Sequence, residues 1–528
     1  MIFTSPYPAV DLPSTSVYDY VFGGLPDTDG ERIAVVDGAD RITYAQLRSD
    51  VDRFAGALAA RGIGPGDVVA LHAPNGIGFV IAFHAILRAG ATATTINVLY
   101  SPTEIAAQLA DAHATTYITV AAVLPHATTA ATLAELPIAK IIVLDSAPGH
   151  QSMRDLLGQD LPAPNVIVDP SSLAVLPYSS GTTGKAKGVM LTHANLVANI
   201  AQCAPMLRID ENDTVLAVLP FFHIYGMNVI MNLTLRRRGT LVTMPRFDLA
   251  EFLRLIDSQR CSYLFVAPPV AVALAKHPVV EQFDTSSVRV IVCGAAPLDE
   301  ALGNALAARI GCRLLQGFGM TELSPVSHVT PIDDPDISIG SIGVAIPNIE
   351  FAVADPATGA RIDHSGAGRS KPGEMLVRGP GVMLGYLGNP EATAATIDPD
   401  GFLHTGDIVE VGPKGEVYVV DRLKELIKYK GYQVPPAELE ALLLTHPAVA
   451  DAAVVAYPDE EAGELPRAFV VVQPGAGVGA PELFDYVAAR VAPHKRVRML
   501  EFIESVPKSL SGKILRKDLK GRPVAAPQ

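Results

Sequence analysis

Apolar residues recur at three- and four-residue intervals between positions 42 and 61, at Leu47, Val51, Phe54 and Leu58, and the pattern stops at Gly62 and Gly64-Pro65-Gly66. That spacing lines one face of a helix, and glycine and proline end it. A short continuous apolar run at 68–71 predicts a strand, and 78–87 a second helix. Runs at 117–120 and 141–144 extend the alternation, which resumes at 215–219, 262–266 and 288–292. Such alternation predicts an α/β architecture of mostly parallel sheets covered by helices. From about residue 335 short β-like runs with glycines take over, at 349–353, 374–377 and 416–420, and predict an antiparallel, β-barrel-like subdomain. After Asp421-Arg422 the chain turns basic over 423–430, then predicts a helix at 436–444 and further alternating strands and helices. We place a boundary there, with a large domain over 1–421 and a small mobile α+β domain over 422–528, within the usual domain range.

Length and composition narrow the class. A chain of 528 residues exceeds what one core usually supports, and 49% apolar with 18% charged residues excludes global disorder. The formal charge is −14 with lysines scattered, so nucleic acid is not an expected partner, whereas a small anion in a local basic pocket is allowed. Cys203, Cys261, Cys293 and Cys312 form no Cys-x-x-Cys pair and are expected as free thiols. The apolar stretch 79–87 contains His84 and stops at Arg88, too short to span a bilayer. Residues 1–19 lack the order of a signal peptide, and the closing Ala-Ala-Pro-Gln lacks a Ser-Lys-Leu address. The expectation is a soluble cytoplasmic protein, monomer or homodimer, with no stable membrane insertion.

Five segments carry candidate chemistry. Residues 178–188 read Tyr-Ser-Ser-Gly-Thr-Thr-Gly-Lys-Ala-Lys-Gly after an apolar run at 173–176. A strand that empties into such a loop offers backbone N–H groups, hydroxyls and lysine charge to one point, as a polyphosphate requires. The spacing is not that of a Walker loop, and a flexible hydroxyl-rich turn is the alternative. Gln316-Gly317-Phe318-Gly319-Met320-Thr321-Glu322 offers close backbone approach, a stacking ring and a carboxylate suited to a hard cation, or else a tight turn with a capping threonine. Gly401 to Asp407, Gly-Phe-Leu-His-Thr-Gly-Asp, puts a carboxylate on a turn, where it can accept from two ribose hydroxyls or simply form the turn. Pro220 to Gly226, Pro-Phe-Phe-His-Ile-Tyr-Gly, places His223 where it can line an apolar cleft or sit satisfied in a core. The fifth comprises the basic run 424–433 and the loop 507–513, which would ordinarily be solvated surface. No Gly-x-Ser-x-Gly elbow occurs, so a hydrolase nucleophile is not indicated. Residues 379–385 imitate a dinucleotide fingerprint with one residue too many and are discounted.

In order and spacing these strings, with the tail Pro-Lys-Ser-Leu-Ser-Gly-Lys-Ile-Leu-Arg-Lys-Asp-Leu at 507–519, resemble the acyl-adenylate-forming (AMP-binding) ligase superfamily, and within it the 4-coumarate/cinnamate–CoA ligase branch. The resemblance covers nearly the whole chain. It implies that Ser179, Ser180, Gly181, Thr182, Thr183 and Lys187 form the ATP-phosphate loop, that Gln316, Gly317 and Phe318 form the adenine site, and that Thr321 contacts phosphate. Glu322 would hold Mg²⁺, and Asp407 with Arg422 would bind ribose. Lys513 would bridge carboxylate and phosphate during adenylation. Lys424 would sit at a hinge, Lys428 and Gln433 on an opposite face used in thioester formation, and Lys430, Gly431 and Arg246 against coenzyme A. His223 and Thr183 are counted with Lys513, Lys428, Gln433 and Glu322 as catalytic. Phe318 departs from the tyrosine common in plant members, keeping the ring and losing a hydroxyl.

The activity so implied is ATP- and Mg²⁺-dependent formation of an acyl-adenylate, then of an acyl-CoA thioester. Ile224, Tyr225, Val229, Gly294, Ala295, Gly317, Pro325, Val326 and Val329 match the acid pocket, and a 4-coumarate- or cinnamate-type aromatic acid is the first expectation. A medium-chain fatty acid, transfer to a carrier protein, and a non-catalytic nucleotide-binding module stay open as alternatives.

Overall fold

The computed structural model describes residues 1–179, 186–364, 366–430, 432–459, 461–509 and 512–523, apart from the side chains of Asp27 and Gln433. Helix Tyr44–Ala59 forms where the periodicity predicts it. Leu47, Val51, Phe54 and Leu58 are fully buried, and Thr43 with Gln46 closes a reciprocal capping box at its start. Helix Ile77–Arg88 is apolar nearly all round because Phe79 to Leu87 are all buried inside the protein. Among the described residues no helix is long and apolar enough to cross a membrane.

The strands assemble into two nine-stranded and two five-stranded sheets among the described residues. In one large sheet, strands Arg313–Gly319, Val290–Cys293, Tyr263–Val266, Thr214–Ala217, Thr240–Thr243 and Ile33–Asp37 lie side by side in parallel. The other is parallel through Leu173–Val175, Thr92–Thr95, Val68–His72, Ala114–Thr119 and Ile141–Val143. This is the α/β arrangement the alternation predicts. The glycine-rich region after 335 forms a curled antiparallel half-barrel of Phe3–Thr4, Glu350–Ala354, Gly373–Arg378, Leu403–Val411 and Val417–Arg422. A fourth sheet, Tyr432–Val434, Ile427–Tyr429, Gly463–Val472, Val449–Asp459 and Met499–Phe502, carries helix Pro436–Leu444. One apolar core runs from Val17 to Val417, and a separate one is built from Ile427 to Val497.

Two local departures bear on function. The strand expected at 215–219 ends at Ala217, because the Asn75 side chain donates to the carbonyls of Ala217 and Leu219 and accepts from the Phe221 N–H. That turn frees 220–224 to lead into a π-helical stretch, Tyr225–Asn232, a geometry frequent at functional sites. Residues 316–319, read from the sequence as a ligand-approach segment or a tight turn, continue strand Arg313–Gly319 by pairing antiparallel with Val326–Val329.

Candidate active site

The carboxyl ends of strands Val290–Cys293 and Arg313–Gly319 lie side by side, the usual place for ligands in parallel sheets. Gly294 follows the first strand and carries the Tyr225 ring against its backbone. A Cβ there would lie 3.0 Å from Tyr225 Cε1 and 3.1 Å from its Oη. Phe265 meets that ring edge-on, with centroids 6.0 Å apart. Tyr225 Oη is buried and has no hydrogen-bond partner among the described residues, and burial drives its pKa well above the ordinary phenol value. Ile224, Val229, Pro325, Val326 and Val329 are buried around it, Gly317 sits opposite Val329, and Ala295 is exposed at the rim with φ +72°. Asn228 ties the π-helical stretch to this wall by donating to the Ser324 carbonyl at 2.8 Å.

Beside the pocket, Glu322 is buried, and its Oε1 accepts from Ser179 Oγ at 3.1 Å and from Tyr386 OH at 2.9 Å. Lys187 places its Nζ 4.3 Å above the Tyr386 ring. Ser180, Gly181, Thr182 and Thr183 lie outside the described residues. Thr321 opens the short turn that carries Glu322, and Phe318 is half-buried on its strand. The Gln316 side chain is buried: its Oε1 accepts from Leu298 N–H and its Nε2 donates to the carbonyls of Leu298 and Ile339. Gln316 therefore shapes the 298 and 339 loops, and both of its amide N–H groups are committed to them.

On the half-barrel, Asp407 pairs in register with Arg422, whose Nε lies 3.1 Å from Oδ1. Asp407 Oδ2 is buried without a hydrogen-bond partner among the described residues. Burial raises the pKa of this carboxyl, while Arg422 and Lys513 oppose the rise. An unsatisfied buried carboxylate oxygen is costly, and hydroxyl donors from a ligand would satisfy it.

Lys513 reaches this centre from the small sheet's side of the molecule. Its loop docks at Gly512, where φ is +83° and a Cβ would stand 2.7 Å from Ala267 Cβ and 3.3 Å from Pro269 Cδ, so only glycine admits the approach. Burial lowers the Lys513 pKa, with Arg422 adding to the fall and Glu425 and Asp407 opposing it. His223 is pushed down to about 4 by burial and by the Lys513 charge. Its Nδ1 lies 3.3 Å from the Tyr225 N–H and accepts from it, so the neutral ring carries its proton on Nε2. The fold thus gathers Lys513, His223, Asp407 and Arg422 around the pocket mouth. Lys424, Lys428, Lys430 and Arg246 are exposed, and Lys430 pairs with Glu461 at 2.7 Å. Lys428 stands opposite Gln433 on a hairpin; Gly431 and the Gln433 side chain lie outside the described residues. An open cleft of about 1010 Å³ lined by Asp37, Arg41, Asn75 and Phe79 contains none of these groups.

Sequence reasoning passed over Tyr386 and the segment before it. Residues 379–385, discounted as a false fingerprint, brace the Glu322 turn through Met383 N–H to the Glu322 carbonyl and Ser324 Oγ to the Gly381 carbonyl. A Cβ on Gly381 would stand 2.6 Å from the Leu323 carbonyl oxygen, which is the signal its glycine carried.

Parallel strand ends, a buried acidic turn, an Asp407 oxygen without a partner among the described residues and a buried lysine beside it are the groups an adenylate-forming site uses. The model of the AMP-binding enzymes matches residues 26–387, and that of the AMP-binding enzyme C-terminal domain matches 438–513. The chain belongs to the AMP-binding enzymes and is an AMP-forming acid–CoA ligase. Among its relatives it is 40% identical to 4-coumarate–CoA ligase 5 of Oryza sativa subsp. japonica, over 99% of this chain and 97% of that one. It is 41% identical to 4-coumarate–CoA ligase 2 of Solanum tuberosum, over 99% and 96%. Among solved structures it superposes on the anthranilate CoA ligase AuaEII in complex with anthranoyl-AMP, with TM-score 0.88, 26% identity and 97% of each chain covered. ATP-bound MatB from Rhodopseudomonas palustris gives TM-score 0.86 at 28% identity, over 96% and 98%.

Proposed function

We propose that the acid is a planar phenylpropenoate, 4-coumarate before cinnamate. The observation that supports this most is Tyr225 Oη, a buried polar group without a partner among the described residues, set among apolar side chains. A para-hydroxyl would complete its hydrogen bonding, and the ring packed on Gly294 presents an aromatic edge to a planar acid. The strong likeness to 4-coumarate–CoA ligases agrees.

In the first step a carboxylate oxygen attacks the α-phosphorus of ATP, the bond to the β-phosphate breaks, and pyrophosphate leaves. The reacting groups are both anionic, so the contribution of the protein is positioning and charge neutralisation. Lys513 lies where both anions meet, Asp407 Oδ2 and Arg422 receive the ribose, and Phe318 stacks on the base. A buried carboxylate with one oxygen committed to hydroxyls fits a Mg²⁺ site completed by phosphate oxygens, so Glu322 with the turn at Thr321 would hold the ion, which offsets phosphate charge when bound. His223 stays neutral and adds no second cation against Lys513. In the second step the CoA sulfur attacks the acyl carbon, the bond to AMP breaks, and the thiol proton is released. Domains 1–421 and 422–528 rotate about Asp421–Lys424 between the steps, replacing Lys513 with the face of Lys428 and Gln433, while Lys430, Gly431 and Arg246 meet coenzyme A.

Turnover of 4-coumarate, cinnamate, octanoate and benzoate tests the substrate reading, and a preference for octanoate would overturn it. Tyr225→Phe is expected to lower kcat/KM for 4-coumarate about fivefold to thirtyfold, the worth of one buried hydrogen bond, and to leave cinnamate nearly unchanged. Equal losses on both acids would remove Tyr225 from recognition.

A further inference from the structure

Helix Pro436–Leu444 follows the strands Ile427–Tyr429 and Tyr432–Val434 beyond the hinge and has no side-chain cap of its own, since its N-cap position is Pro435. Its first N–H groups and last carbonyls therefore need partners from elsewhere. At the start, Asp421 Oδ2 accepts from the Ala437 N–H at 3.2 Å, while Oδ1 is held by the Arg422 N–H at 2.6 Å. Asp421 belongs to strand Val417–Arg422 of the half-barrel and is buried. At the other end, Lys276 Nζ donates to the Leu444 carbonyl at 2.9 Å and lies 3.5 Å from the Val449 carbonyl. Lys276 is the last residue of helix Pro268–Lys276, rooted in the large core through Ala271 and Leu274. A carboxyl oxygen accepting at the N-terminus and a cation donating at the C-terminus both satisfy the helix ends, and the cation complements the helix dipole.

The same helix, Pro268–Lys276, receives Gly512 at its opposite end, one residue before Lys513. One element of the large body therefore touches the small body twice, at the loop that delivers the catalytic ammonium and at the end of helix Pro436–Leu444. We propose that Lys276 and Asp421 are positioning residues that clamp helix Pro436–Leu444 at both ends and hold the small body in the adenylating arrangement. The inference rests on the two-step, rotating reading given above. Rotation about 421–424 carries Leu444 away from Lys276, whose backbone stays with the large body, and changes the bond that spans the hinge from Asp421. The clamp then acts on one of two states, as an element that biases a domain equilibrium must.

The test separates the half-reactions in the full-length enzyme. Lys276→Met keeps the stem and removes the ammonium; it is expected to lower acid-dependent ATP–pyrophosphate exchange about fivefold or more, the loss expected for a charged hydrogen bond. Thioester formation from a prepared acyl-adenylate and CoA should hold or rise, and Lys276→Arg should restore exchange. Asp421→Asn should shift the same ratio in the same direction. Distance measurement between spin labels on the two bodies should show Lys276→Met populating a second separation. Unchanged exchange in Lys276→Met, or parallel loss of both half-reactions, would overturn the clamp. Wild-type enzyme that shows no exchange with any acid would instead overturn the adenylating reading beneath it, so the two failures are distinguishable.

Discussion

Lys513→Ala is expected to cut acid-dependent ATP–pyrophosphate exchange by about two to three orders of magnitude, the usual cost of deleting one preorganised group that meets developing charge. The ammonium sits among Asp407, Arg422, Glu425 and His223, and burial has already lowered its pKa, so water does not replace it when it is removed. The loop is set by Gly512 packing on Ala267 and Pro269 and by Lys513 N–H to Ser509 Oγ, none of which needs the Lys513 side chain. Folding should therefore survive the substitution. Thioester formation from prepared acyl-adenylate should survive as well, because the proposed scheme assigns that step to the Lys428 face. Lys428→Ala is expected to show the converse pattern, sparing exchange more than CoA-dependent turnover. Equal loss of both partial reactions in both variants would contradict the two-arrangement scheme.

Acidification from pH 7 to 5 is expected to destabilise the protein steeply. His72, His84, His193 and His328 are all fully buried. Burial pushes the first three down to about 4 and His328 to about 3. In the unfolded chain each titrates near the ordinary value of about 6.5. As pH falls through 6.5 the unfolded chain takes up protons that the folded chain refuses, so stability is lost on the acid side and regained above. Each such histidine contributes ~1.4 kcal/mol per pH unit in that window, and four together approach the net stability of a typical domain, about 5–15 kcal/mol. Asp421 works the other way: burial raises its carboxyl to about 7, so the folded chain binds its proton first and offsets roughly one histidine. Urea unfolding at pH 7, 6 and 5 should show midpoints falling with pH. A midpoint unchanged between pH 7 and 5 would mean that these rings are charged or solvated in the folded protein.

The elements most legible in sequence were those whose pattern is local. Helix Pro436–Leu444 and helix Tyr44–Ala59 follow from spacing and flanking breakers, and the half-barrel from short glycine-bounded runs. That strand Arg313–Gly319 runs on through Gly319 was not legible, because the partner that holds Gln316 to Gly319 extended, Val326–Val329, returns only after a turn that local propensity does not announce. The motif around Gln316 did not announce where its side chain bonds, which the Leu298 and Ile339 backbones decide.

By itself, the order of residues determined the α/β class, the antiparallel region after 335 and the loop, turn and lysine motifs that carry the family, since each depends on neighbours within a turn or a strand. Only the tertiary structure decided that Tyr225 Oη and Asp407 Oδ2 are buried without partners among the described residues, that Tyr386 holds Glu322, and that one helix meets both Gly512 and Leu444. Those relations join residues far apart in the chain. They are set by which faces pack to exclude water, and local spacing carries no record of that choice.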